Sequence, residues 1–198
     1  MPPTIVVLPQ GLNQNRWIDS RDGSKPMESI IIRNLIPHID ATYRTIARRD
    51  GRAIEGHSMG GFGSLHTGFN NPDLFAAVTG NAPGGVTFDT SPPEPNSGRI
   101  DAFAIVYGSD RSYFEAMQPT TLAAKNLAKV KQQAVRIICG TEDGLFPGAR
   151  FVHEELTKLG VEHEWIPVPG SPHNHDQLLQ YQTFDTMAFY GKVFANVK

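Results

Sequence analysis

The sequence predicts an α/β protein: a mostly parallel sheet with helices on both faces. Two observations carry this. Short β-prone runs alternate with stretches of helical periodicity along the 198 residues, and chains that alternate in this way pair their strands in parallel through helical crossovers. Several of the runs are also continuously apolar, as strands covered on both faces are.

The elements follow in order. Thr4–Leu8 (TIVVL), closed by Pro9, Gln10 and Gly11, reads as a buried parallel strand entering a loop. Residues 12–25 are polar and contain Asp22-Gly23, a loop signal. From Met27 to Arg49, the residues Ile32, Leu35, Ile36, Ile39, Tyr43 and Ile46 recur at three- and four-residue spacing and predict one buried helical face. Pro37 lies inside that pattern and should kink it or begin a second helix. Arg52–His57 follows as a short strand, Met59–Phe69 as a helix ended by Asn71-Pro72, and Phe75–Gly80 as another strand. Residues 83–99, rich in proline and glycine, predict a long surface loop. Phe103–Tyr107 is β-prone and Pro119–Lys131 helical. The rest reads as strand Val135–Gly140, helix Pro147–Leu159 with Gly160 as its C-cap, strand His163–Val168, loop 169–175 and helix Asp176–Val197. Residues 1–198 are expected to form one domain, with a loop or cap insertion over about 83–118.

Composition narrows the function. Lys and Arg number 18 against 20 Asp and Glu, so no basic stripe is available to neutralise phosphates and a nucleic-acid partner is not expected. Cys139 is the single cysteine, which excludes an intrachain disulfide and a cysteine-built zinc cage. The apolar runs are too short for a membrane span. Residues 1–10 lack the charged region and cleavage site of a signal peptide, and location stays open.

Gly56-His57-Ser58-Met59-Gly60 matches G-x-S-x-G. The match gains weight from its setting, since it follows a strand and precedes a helix rich in small residues, where a serine sits on a tight turn above the sheet. The flanking glycines are expected because a Cβ would strike neighbouring backbone as the turn closes. The Met59 N–H then lies at a helix N-terminus, where it can stabilise an oxyanion. A nucleophilic serine needs a base, and the base an orienting acid. The strand Val135–Gly140 runs into Thr141-Glu142-Asp143-Gly144, so Glu142 or Asp143 can be the acid. Asp143, further past the strand end, is preferred. The loop Pro169-Gly170-Ser171-Pro172-His173-Asn174-His175-Asp176 offers His173 or His175 as base, with His173 preferred and Asp176 as an N-cap of the last helix. His173, His175 and Asp176 also resemble an H-x-H-D metal pair, but no second cluster supplies further ligands at obvious spacing, so neither metal nor cofactor is expected. Cys139 reads as a small core residue. Trp17 and Gly11 are candidate substrate-pocket residues, and Phe88, Tyr107 and Tyr113 are further aromatic candidates.

These residues resemble the α/β-hydrolase "putative esterase" family, the esterase D-like group of feruloyl esterases, tributyrin esterases and S-formylglutathione hydrolases. Ile5-Val6-Val7-Leu8-Pro9-Gln10-Gly11, Asn34-Leu35-Ile36-Pro37-His38-Ile39-Asp40 and Arg52–Gly63 carry the resemblance, extended by Asn71–Ala76 and Gly140–Asp143. It implies Ser58 as nucleophile, Asp143 as acid, His173 as base and the Met59 amide as one oxyanion donor. It also implies a helical stretch near 103–118, against the local propensity.

The family has an upstream strand whose loop completes the oxyanion hole, and this chain resembles the fold without that N-terminal third. Thr4–Leu8 is therefore expected to move over and pair with the strand before Ser58. Otherwise a second chain donates a strand and a homo-oligomer forms through the unpaired edge, or the fold is held open and aggregates. An amide near Gly11 is the candidate second donor. The reading is a serine carboxylesterase acting on a small-molecule ester through an acyl-enzyme. An acyltransferase of the same fold, or a catalytically impaired binding scaffold, are the alternatives.

Overall fold

The computed structural model describes residues 2–12, 16–84, 102–195 and 197. Among the described residues four strands form one sheet: β1 (Ala53–His57), β2 (Ala77–Asn81), β3 (Ala134–Gly140) and β4 (His163–Val168). Their spatial order is β1-β2-β3-β4 and every pairing is parallel. Gly56 lies beside Gly80, and Ile138 beside both Asn81 and Ile166. The strand ends that lead into Ser58 and Asp143 therefore open on the same edge of the sheet, as ligand sites of parallel sheets do.

Side chains alternate between faces along a strand, and β2 shows what covers each face. Val78 and Gly80 meet α3 (Met59–Asn70), where a Cβ added to Gly80 would lie 2.9 Å from Leu65 Cδ1. Ala77 and Thr79 meet α9 (His175–Val193) instead. Ala77 packs with Phe189 and Tyr190, and Thr79 Oγ1 shares a 2.9 Å hydrogen bond with the Tyr190 hydroxyl. On the α3 side the core continues through α6 (Pro119–Lys125) and α8 (Phe146–Lys158), with Phe62, Leu122, Ile137 and Leu156 buried together. The expected two-sided parallel sheet is what the chain forms.

Several elements differ from expectation. Thr4–Leu8 is not a strand, and Val6 and Leu8 are 73% and 88% exposed. A β-branched run becomes a strand only when a neighbour satisfies its N–H and C=O groups. Among the described residues nothing pairs with it, and β1 pairs only with β2. The expected shift of Thr4–Leu8 onto β1 is therefore corrected. The long helix expected over 27–49 is instead α1 (Met27–Ile30), a π-helical turn at Ile31–Leu35 and α2 (Ile36–Thr42). Pro37 is the second residue of α2 inside a continuous helical run, and the wider π turn lies just ahead of this residue that cannot donate a backbone bond. Tyr43 and Ile46, expected on a buried face, are exposed.

Phe103–Tyr107 belongs to α4 (Ala102–Tyr107) and not to a strand. Phe103, Val106 and Tyr107 are buried at helical spacing, so the packing face overrides the β-prone composition. α5 (Arg111–Ala116) follows it. The helix expected over 119–131 breaks at Asn126 into α6 and α7 (Leu127–Val130), and the Asn126 side chain donates to the Phe69 carbonyl at 2.9 Å. The loop expected over 83–99 lies outside the described residues from residue 85 onward. α9 is capped by Asn174, whose side chain accepts from Gln177 N–H at 3.0 Å, and Asp176 falls in the first turn. Among the described residues no helix is long and apolar enough to cross a membrane.

Candidate active site

Ser58 occupies the turn between β1 and α3 with φ 58° and ψ −117°, a conformation rarely tolerated by a residue with a Cβ. Backbone bonds hold it there. Ser58 N–H donates to Asn81 O at 2.9 Å, and Ser58 O accepts from Gly84 N–H at 2.8 Å and Phe62 N–H at 3.1 Å. A Cβ on Gly56 would run into the Gly60 carbonyl, so glycine is required at that flank. A Cβ on Gly60 would meet nothing within 4 Å. The expectation that both flanking glycines are sterically required therefore holds for Gly56 alone. Gly61 is the other tight position, with Asn81 O 2.6 Å from a Cβ placed there. Met59 is the first residue of α3, with its N–H at the helix N-terminus.

Asp143 lies just past β3 and is 4% exposed. Its Oδ1 accepts from Leu145 N–H at 2.8 Å, which closes a turn, and its Oδ2 lies 2.7 Å from His173 Nδ1. His173 Nε2 in turn lies 3.0 Å from Ser58 Oγ. Because the carboxylate accepts, Nδ1–H donates, and the neutral ring presents its Nε2 lone pair to the serine hydroxyl. The structure thus joins Ser58, His173 and Asp143 in one hydrogen-bonded row. Glu142 is exposed and His175 stands outside the row.

The row depends on contacts that motif reading missed. The loop carrying His173 is laced to the turn carrying Asp143: Glu142 N–H donates to Ser171 O at 3.1 Å and Gly170 N–H to Thr141 Oγ1 at 2.9 Å. A Cβ on Gly140 would strike the Ser171 carbonyl, so these two segments touch backbone to backbone. His57 lies face-on to His173, with ring centroids 4.9 Å apart and planes 28° apart. It meets His175 edge-on at 4.7 Å. Burial, with His175 and His173 close by, pushes the His57 pKa down to about 4. Burial and the Asp143 carboxylate push the Cys139 thiol up to about 12, so that thiol stays protonated.

The remaining candidates have their own contacts. Gly11 lies against the Trp17 indole, and Trp17 backs onto Gly63 of α3, where a Cβ would approach Trp17 Cβ to 2.5 Å. Tyr107 is core, and Tyr113 OH donates to Asp19 O at 2.8 Å. Phe88 lies outside the described residues. A cavity of about 370 Å³ lined by Arg136, Glu164, Trp165, Phe189 and Lys192 shares no residue with the row. Among the described residues no group of three or more His, Cys, Asp or Glu is placed to hold a metal ion.

Comparison with known proteins adds a family. The model of the family described as "Putative esterase" matches residues 1–166. Esterase Rv1288 of Mycobacterium tuberculosis (strain ATCC 25618 / H37Rv) is 28% identical over 192 residues, covering 85% of this chain and 41% of its own. A ferulic acid esterase superposes with a TM-score of 0.71 at 24% identity, over 90% of this chain and 64% of its own. The substrate-bound fluorophosphonate-binding serine hydrolase F of Staphylococcus aureus gives a TM-score of 0.71 at 18% identity, covering 90% of this chain and 68% of its own. These likenesses between structures concern the fold. The chain spans less than half the length of the mycobacterial esterase it matches. With a family match over most of its length and a parallel sheet shared with α/β-hydrolase esterases, this chain belongs to the "Putative esterase" family.

Proposed function

We propose that the chain is a serine carboxylesterase in which Ser58 is the nucleophile, His173 the general base and acid, Asp143 the orienting carboxylate and the Met59 N–H an oxyanion donor. The observation that carries this reading is the unbroken row from Ser58 Oγ through His173 to Asp143, with links of 3.0 and 2.7 Å. Esterase names among the relatives support the reaction class.

In this reading Ser58 Oγ attacks the ester carbonyl while His173 Nε2 takes its proton. The carbonyl oxygen becomes an oxyanion beside the Met59 N–H, and such a donor is worth about 10²–10³-fold in kcat. Collapse of the tetrahedral adduct breaks the bond to the alcohol, which leaves with the proton returned by His173. Water then attacks the acyl-serine, His173 again removes the proton, and the carboxylic acid departs as Ser58 is regenerated. Asp143 holds Nδ1–H throughout, so the ring keeps its Nε2 lone pair toward the serine. The strained φ of Ser58 fits this role, since such conformations persist where surrounding structure over-determines them.

The test is labelling with a fluorophosphonate together with hydrolysis of short-chain aryl esters. The parent chain should label once, at Ser58, and turn over the ester; Ser58→Ala should do neither. A chain that hydrolyses esters without labelling, or labels equally well as Ser58→Ala, would overturn the assignment.

A further inference from the structure

We propose that His57 is a positioning residue, whose flat ring fixes the plane of the His173 imidazole; this rests on the triad reading above. His173 is exposed over 41% of its side chain and sits in a loop. Its hydrogen bonds to Asp143 and Ser58 hold the two ring nitrogens, and neither resists tilting of the ring plane about the line that joins them. A second constraint is needed to set the twist of the ring. The His57 ring supplies it at 4.9 Å and 28°, within the range of offset stacking.

The placement of His57 suits that task. It is the last residue of β1, so it is held by the sheet rather than by a loop. It is also the immediate neighbour of Ser58, so the strand that aims the hydroxyl carries the plate that aims the base. Its second ring contact, edge-on to His175, ties the start of α9 into the same cluster. Its Nε2 is buried without a hydrogen-bond partner among the described residues. An unpartnered buried ring nitrogen disfavours the charged form, so His57 stays neutral while His173 cycles through its imidazolium. A charged His57 would repel that imidazolium, whereas a neutral ring offers it a π face.

Three substitutions at His57 separate positioning from simple bulk. Phenylalanine keeps a flat face, leucine keeps volume without one, and alanine removes both. With an aryl ester, His57→Leu and His57→Ala should lower kcat about 10-fold with KM within about twofold, and slow fluorophosphonate labelling by the same factor. His57→Phe should recover most of that loss. The low-field proton resonance of His173 Nδ1–H should stay sharp in the phenylalanine variant and broaden in the leucine variant. Equal kcat and equally sharp resonances in the phenylalanine and leucine variants would overturn the proposal, and this contrast decides it even if the alanine variant fails to fold. The two readings fail separately. An active Ser58→Ala chain sinks the triad, whereas an inactive one beside an unaffected His57→Leu chain sinks only the role of His57.

Discussion

Asp143 divides its two carboxylate oxygens between structure and site: Oδ1 closes its own turn onto Leu145 N–H at 2.8 Å, and Oδ2 holds His173 Nδ1 at 2.7 Å. The carboxylate is thus held by its own turn as well as by His173. Asp143→Asn should keep the turn, because the amide oxygen can still accept from Leu145. An amide group facing Nδ1 stabilises the wrong tautomer, and kcat should fall about 10³–10⁴-fold with the chain still folded. Ser58→Ala should lose about 10³-fold or more. Ester hydrolysis and circular dichroism on both variants check this, and an active Asp143→Asn chain would remove Asp143 from its role.

The two glycines beside Ser58 should respond oppositely to a methyl group. Gly56→Ala drives a Cβ into the Gly60 carbonyl, which is backbone and has nowhere to retreat. It should cost several kcal/mol, roughly 3 or more, or prevent folding. Gly60 lies in α3 with open space at its Cβ. Gly60→Ala should stabilise by about 0.5–1 kcal/mol through helix propensity. Urea midpoints of the two variants decide between them, and equal midpoints would contradict the packing described for the turn.

Glu28 should make stability depend on acid. Burial raises its pKa, but hydrogen bonds and the charge interaction with His66, with further bonds from Asn70 and Asn71, outweigh burial and hold it below the ordinary value. A carboxyl whose folded pKa is depressed contributes stability above its unfolded pKa, near 4.3, and loses it as pH falls through the folded value. Glu28→Gln should therefore be less stable than the parent at pH 7, by about 1–3 kcal/mol. The gap should narrow below about pH 4. Urea titrations of both chains from pH 7 to pH 3 test this, and a gap that stays constant with pH would refute it.

The rate should depend on one ionisation on its acid side. A neutral base is required, so kcat/KM should rise from acid pH to a plateau in one step. His57 is held neutral down to about pH 4 and adds no second step above that pH. A plot of log kcat/KM should approach a slope of one on the acid side. A slope near two would mean that His57 gains a proton in the same range and would contradict its being held neutral.

The candidate site was largely legible because its parts are local. Strand, glycine, serine and helix N-terminus occupy about ten consecutive residues, Arg52–Gly61, and each follows from its neighbours. The acid and base candidates stood out because each lies in the segment that follows a strand of a parallel sheet. Spacing could not choose between Glu142 and Asp143 or between His173 and His175. Those pairs differ by one or two residues, and it is the tertiary contact of His173 Nδ1 with Asp143 Oδ2 that shows which side chains face one another. The cluster around His57 was invisible for the same reason. His57 and His173 are far apart in the chain, and no local pattern marks a stack between them.

The order of helices and strands over Arg52–Asn81 and from Ala134 onward, the parallel sheet and the turn carrying Ser58 were determined by the sequence alone, because periodicity and turn chemistry act over a few residues. Thr4–Leu8 and Phe103–Tyr107 were not. Both are rich in β-prone residues, yet the first lies exposed without a ladder and the second is a helix that buries Phe103, Val106 and Tyr107. A strand is completed by a neighbour elsewhere in the chain, and a helical face by the core it meets. Tertiary structure therefore decided both, since the groups that satisfy a backbone ladder or cover an apolar face are distant in sequence.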